Sequence, residues 1–141
     1  MRWSGGVSEG KPATELYLAA PPGIAASGSG PPVPVWALLD TDAPTTRVRA
    51  ALLIQAGGEP LGGSPPLYRV RICFVDWFYA RRYGGPGVHF LDRVVAADQD
   101  LAGPEMTLGR DILSEGSLTV DSQTRGFRLE LLTDNEAAGG G

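Results

Sequence analysis

Cysteine, histidine and lysine occur once each in this chain, and there is neither a surplus of positive charge nor a long apolar run. A lone Cys73 forms no internal disulfide. A zinc site built on Cys73 and His89 would have to complete its ligand set from carboxylates, and neither residue sits in a Cys–His nucleophile motif. His89 is expected as a half-exposed sheet residue, and no metal or cofactor is expected. A formal charge of −4 removes the basic face that nucleic-acid binding requires. The aromatic-basic stretch Trp77–Tyr83 accordingly reads as a hairpin strand with solvated arginines rather than a base-stacking platform. Lys11 is the sole lysine among 12 basic residues, a skew that fits genome composition better than function. No segment reaches the apolar length of a membrane span, and residues 1–11 lack the apolar stretch of a secretory signal. The expectation is a cytoplasmic, soluble protein without nucleic-acid or membrane partners.

What is present is punctuation. With 20 Gly and 12 Pro in 141 residues, the chain reads as one domain of many short strands broken by turns. Residues 1–12 and 134–141 offer little to bury and are expected to be flexible ends around a domain at 13–133. Thr14–Ala19 reads as a short strand, Pro21–Pro32 as a loop, and Val33–Leu39 as a strand covered on both faces. Arg47–Gln55 continues as extended or partly helical chain. Tyr68–Asp76 alternates, with Tyr68, Val70, Ile72 and Phe74 on one face and Arg69, Arg71 and Cys73 on the other. Val88–Ala96 is a further strand. A short helix follows Gly109, and Leu118–Val120 and Phe127–Leu132 form a closing hairpin. The predicted class is all-β with one short helix near the C-terminal end. No repeat appears at solenoid periods.

Two segments carry chemistry. The run Val33–Leu39 ends in Asp40-Thr41-Asp42-Ala43, and a second block reads Thr107-Leu108-Gly109-Arg110-Asp111-Ile112-Leu113. Together they resemble the retropepsin-like aspartic proteases, whose signature is a hydrophobic pair followed by Asp-Thr-Gly-Ala and, downstream, hydrophobic-Gly-Arg-Asp/Asn-hydrophobic-Leu. The likeness extends over about Glu15 to Leu132. It implies a closed or half-barrel of short strands with a flap hairpin, a homodimer, and an extended peptide or protein substrate bound by strand addition. Asp40 would be the catalytic residue, with its twofold mate supplying the second carboxylate that the chemistry needs. Thr41 would bond across the dimer axis, and Ala43 would leave room beside the water. Leu108, Gly109, Arg110 and Asp111 would support the loop, the last two through an ion pair at a helix start. The Gly-rich tip carrying Gly57, Gly58, Gly62 and Gly63 would be the flap. It lacks the Lys-Ser/Thr of a phosphate-binding loop.

Asp42 departs from this pattern by standing where the motif has glycine, and Pro44 stands where a polar or acidic residue is common. Asp42 brings a second carboxylate beside each Asp40, and like charge raises the pair's apparent pKa values. Three readings stay open: an aspartic endopeptidase, a catalytically impaired pseudoprotease acting as a peptide-binding or assembly module, and a stand-alone β-domain.

Overall fold

The computed structural model describes residues 1–8, 10–23, 32–75, 88–121, 123 and 126–134. Strands β1 (Arg2–Ser8), β2 (Lys11–Ala19), β3 (Val33–Leu39) and β4 (Arg47–Arg49) precede helix α1 (Ala50–Gln55). Then come β5 (Glu59–Gly62), β6 (Leu67–Val75), β7 (Val88–Asp98) and β8 (Met106–Leu108). Helix α2 (Arg110–Leu113) and the hairpin β9 (Ser117–Asp121) and β10 (Gly126–Glu130) complete the described chain. The protein is mostly β, as its composition predicts, but the described residues include two short helices rather than one. The stretch Trp77–Tyr83 and most of the Pro21–Pro32 loop lie outside the described residues.

One sheet in the order β5-β6-β7-β4-β8-β3-β2-β1-β10-β9 closes on itself because β2 also pairs β6. Strand β2 divides one edge between two partners. Its first residues, Lys11–Ala13, face β1, and its last, Tyr17–Ala19, face β6. The closed part is a barrel of β2, β3, β8, β4, β7 and β6, and β1, β10 and β9 form a ribbon leaving it. Two pairings are parallel, β3 with β8 and β4 with β7, among otherwise antiparallel neighbours. The parallel β3–β8 pair brings the C-terminal ends of these two strands side by side.

Alternation along each strand fills the barrel. Val33, Val35, Ala37 and Leu39 point inward while Trp36 is 46% exposed, so β3 is covered on one face and not on both. Closure explains the difference, since a barrel strand has one interior face and one exterior face. Leu16, Leu18, Val70, Ile72, Phe74, Leu91, Val95, Met106 and Leu108 complete the interior. Each fully buried aliphatic or aromatic side chain of this kind contributes about 1.5–3 kcal/mol.

The first residues differ from expectation. Rather than fraying, β1 is held by β10 from Arg2↔Glu130 to Gly6↔Gly126. Gly5 lies opposite Phe127, and a Cβ there would fall 2.5 Å from the ring, so the aromatic covers the bare backbone. At the other end, the Asp134 carboxylate accepts from the Asp92 amide at 2.7 Å and from Arg93, tying the start of the expected tail to β7.

Helix α1 also has a local cause. Its end carries paired closing bonds, Gly57 N to Ile54 O at 3.1 Å and Gly58 N to Leu53 O at 2.9 Å, with Gly57 at φ 79°. This is the left-handed glycine stop that terminates many helices. Gly57 and Gly58 therefore belong to a helix end and not to the hairpin tip. The tip is the turn between β5 and β6, where Gly62 and Gly63 have φ of 81° and 103°.

Candidate functional site

Asp40 is the first residue beyond β3, and Gly109 the first beyond β8. Because the two strands run parallel with Leu39 opposite Leu108, both loops emerge at the same end of the barrel. The Asp40 amide donates to Leu108 O at 3.0 Å, and the Arg110 amide donates to Ala43 O at 2.8 Å. The two motif segments are thus stitched to each other by main-chain bonds on either side of the acid. Gly109 is required by space. Its backbone is extended, but a Cβ would fall 2.6 Å from Thr45 C and 2.9 Å from Ala43 O.

Thr46, which the motif comparison does not single out, holds the junction. It is fully buried. Its hydroxyl donates to Asp111 Oδ1 at 2.7 Å and accepts from the Gly109 amide at 3.0 Å, and its own amide donates to Asp111 Oδ2 at 3.0 Å. Asp111 Oδ1 also accepts from the Ile112 amide at 2.9 Å, at the start of α2. Both support residues are present, but in a different arrangement from the expected ion pair. Asp111 binds a buried hydroxyl, whereas Arg110 is exposed and contributes its amide. Nothing local in the sequence marks Thr46; its burial and its bond to the Gly109 amide follow from the pairing of β4 with β8.

Around the acid, the Asp42 amide donates to Asp40 Oδ1 at 3.0 Å, and the Ala43 amide donates to Asp40 O at 3.2 Å, folding 40–43 into a tight turn. Thr41 and Asp42 are exposed and Ala43 is half-buried. The remaining oxygen, Oδ2, accepts from Lys11 Nζ at 2.7 Å. The cause lies in strand register: β2 and β3 pair with Ala13 opposite Leu38, and extending that ladder two residues sets Lys11 opposite Asp40. Opposite charges in such a cross-strand position attract. The Lys11 hydrogen bond, then the Asp42 amide, pull the Asp40 carboxyl below its ordinary pKa, and Lys11 is raised in return, chiefly by its hydrogen bond to Asp40. In the single chain the shift of Asp40 thus runs opposite to the like-charge effect expected from Asp42. With Lys11 50% exposed, solvent screens the pair and its contribution to stability is small.

Arg49 fixes the neighbouring loop by donating to Gly103 O at 2.7 Å, and Glu105 accepts from the Trp36 amide at 2.8 Å. Gly62 and Gly63 sit at the β5–β6 tip, flanked by the exposed Leu61 and Leu67. His89 is half-buried in β7 and Cys73 buried in β6. Among the described residues no group of His, Cys, Asp and Glu is arranged to hold a metal ion, and no helix is long and apolar enough to cross a membrane. No protein-family model and no curated protein matches the sequence.

Proposed function

We propose that this chain is a retropepsin-like aspartic endopeptidase that works as a homodimer, with Asp40 of each subunit forming the catalytic pair. One observation carries the reading. A carboxylate at the end of a barrel strand is locked by main-chain bonds to a glycine-containing turn on a parallel neighbour, Asp40 N to Leu108 O and Arg110 N to Ala43 O. A capping Asp at an ordinary turn requires no such partner.

In the reaction, one Asp40 carboxylate removes a proton from water as its oxygen attacks the peptide carbonyl carbon. The other, protonated, gives its proton to the carbonyl oxygen. Collapse of the resulting diol returns a proton to the amide nitrogen as the C–N bond breaks. Exposed Thr41 lies beside Asp40, available to a facing subunit. The β5–β6 hairpin, with two glycines in left-handed geometry, suits a cover that approaches an extended substrate backbone closely.

A second reading, the impaired pseudoprotease, is favoured by two features at the acid itself: Asp42 in the loop and Lys11 on Oδ2. One peptide-library assay across pH 3–7 separates the two. Wild type should cleave, be blocked by a statine-type mimic, and lose cleavage on Asp40→Asn. A silent wild type that gains cleavage on Asp42→Gly selects the pseudoprotease, and silence in both excludes proteolysis.

A further inference from the structure

Both oxygens of the Asp40 carboxylate are occupied from within its own chain. The Asp42 amide holds Oδ1 at 3.0 Å, as part of a turn whose geometry is fixed by backbone. Lys11 Nζ holds Oδ2 at 2.7 Å through a long, half-exposed side chain that is free to swing into solvent. The charged group that acts on this carboxylate is Lys11 from β2, whereas Asp42 acts on it through its main-chain amide and, as a charge, on Lys11. Each carboxylate oxygen has two lone pairs, so Oδ1 can accept from the Asp42 amide and still take part in sharing a proton. The ammonium on Oδ2 acts by its charge: it favours the ionised carboxyl, and two ionised carboxylates have no proton to share.

We infer that Lys11 is a gating residue for Asp40: its ammonium, held against Oδ2 from within the same chain, keeps the carboxyl ionised and so withholds the proton that two Asp40 carboxylates would share, and its withdrawal switches the site on. This regulation rests on the protease reading above. Lys11 touches no substrate and acts through Asp40, so it is a positioning residue. The direction of its effect follows from charge. An ammonium favours the ionised form of every carboxylate near it. It lowers both macroscopic pKa values that bound the singly protonated pair, and so moves the working window toward acid. In wild type the gate is closed at neutral pH. It opens as acid protonates the carboxylates and weakens their hold on the ammonium. Without Lys11 the window shifts toward neutrality, and on the steep limb each pH unit of displacement changes the rate about tenfold.

The test uses the full chain as wild type, Lys11→Met and Lys11→Arg. Two readouts are taken: the titration midpoint of the Asp40 carboxyl by carbon NMR, assigned with Asp40→Asn, and the pH profile of peptide cleavage. Expected are a higher Asp40 midpoint in Lys11→Met, a cleavage profile displaced to higher pH by the same amount, and restoration of both toward wild type in Lys11→Arg. An Asp40 midpoint unchanged in Lys11→Met overturns the gate whatever the cleavage result. A raised midpoint with an unmoved cleavage profile overturns it as well. A raised midpoint with no cleavage by any variant at any pH supports the hold of Lys11 on Asp40 and removes the protease reading instead.

Discussion

Two glycine-bearing turns of this barrel need glycine for different physical reasons. At Gly109 the backbone is extended and any residue could adopt it, yet the space is filled by Thr45 and Ala43 main chain within 3 Å of where a Cβ would sit. At Gly62 the space is open, yet φ is 81°. The first turn is fixed from all sides, by a buried Thr46 and by main-chain bonds to the Asp40 loop. The second projects Leu61 and Leu67 into solvent, and Pro66 O accepting from the Ala97 amide at 2.8 Å anchors its base. Under the proposed reading, the first arrangement suits a loop that holds the acid in place and the second a hairpin that moves.

Substitutions break or sharpen this contrast. Gly109→Ala should have the largest effect, about 3 kcal/mol lost in urea unfolding, because the methyl meets backbone that cannot move without dragging the Asp40 loop. Thr46→Val comes next at about 2 kcal/mol, since it keeps the shape but strips partners from Asp111 and from the buried Gly109 amide. Thr46→Ser should recover most of that loss. Gly62→Ala should cost least, about 1 kcal/mol, the penalty of a left-handed dihedral for a residue with a Cβ. Asn tolerates that region, so Gly62→Asn should be milder than Gly62→Ala, while Gly109→Asn should be at least as harmful as Gly109→Ala. If Gly62→Ala proved as damaging as Gly109→Ala, the distinction between a packed turn and a projecting one would be lost.

The parts of the fold legible from sequence are those whose signals are local. Apolar Val33–Leu39 ending at Asp40, alternation through Tyr68–Phe74, and the hairpin around Asp121–Gly126 each correspond to an observed strand or turn. Helix α1 was half-legible: Ala50–Gln55 left its type open, and Gly57-Gly58 reads equally well as a hairpin tip or a helix stop until hydrogen bonds decide. Strand β1 was not legible, because Ser4, Gly5 and Gly6 carry no strand propensity and depend on β10, which lies over a hundred residues away. The same holds at the site. Asp40 and Gly109 announce themselves by motif, but Thr46 and Lys11 reach it through register. Register is a property of paired strands, and no single stretch of sequence displays it.

The solitary lysine also makes the chain its own reporter. Lys11 carries the one side-chain amine in this sequence for an acylating reagent to attack. A protonated ε-amine is a poor nucleophile, and the hydrogen bond to Asp40 raises the Lys11 pKa further above its ordinary value. The rate at which a small amine label attaches to Lys11 therefore reads out, in the unmodified protein and without any substrate, how often the ammonium and the carboxylate are apart.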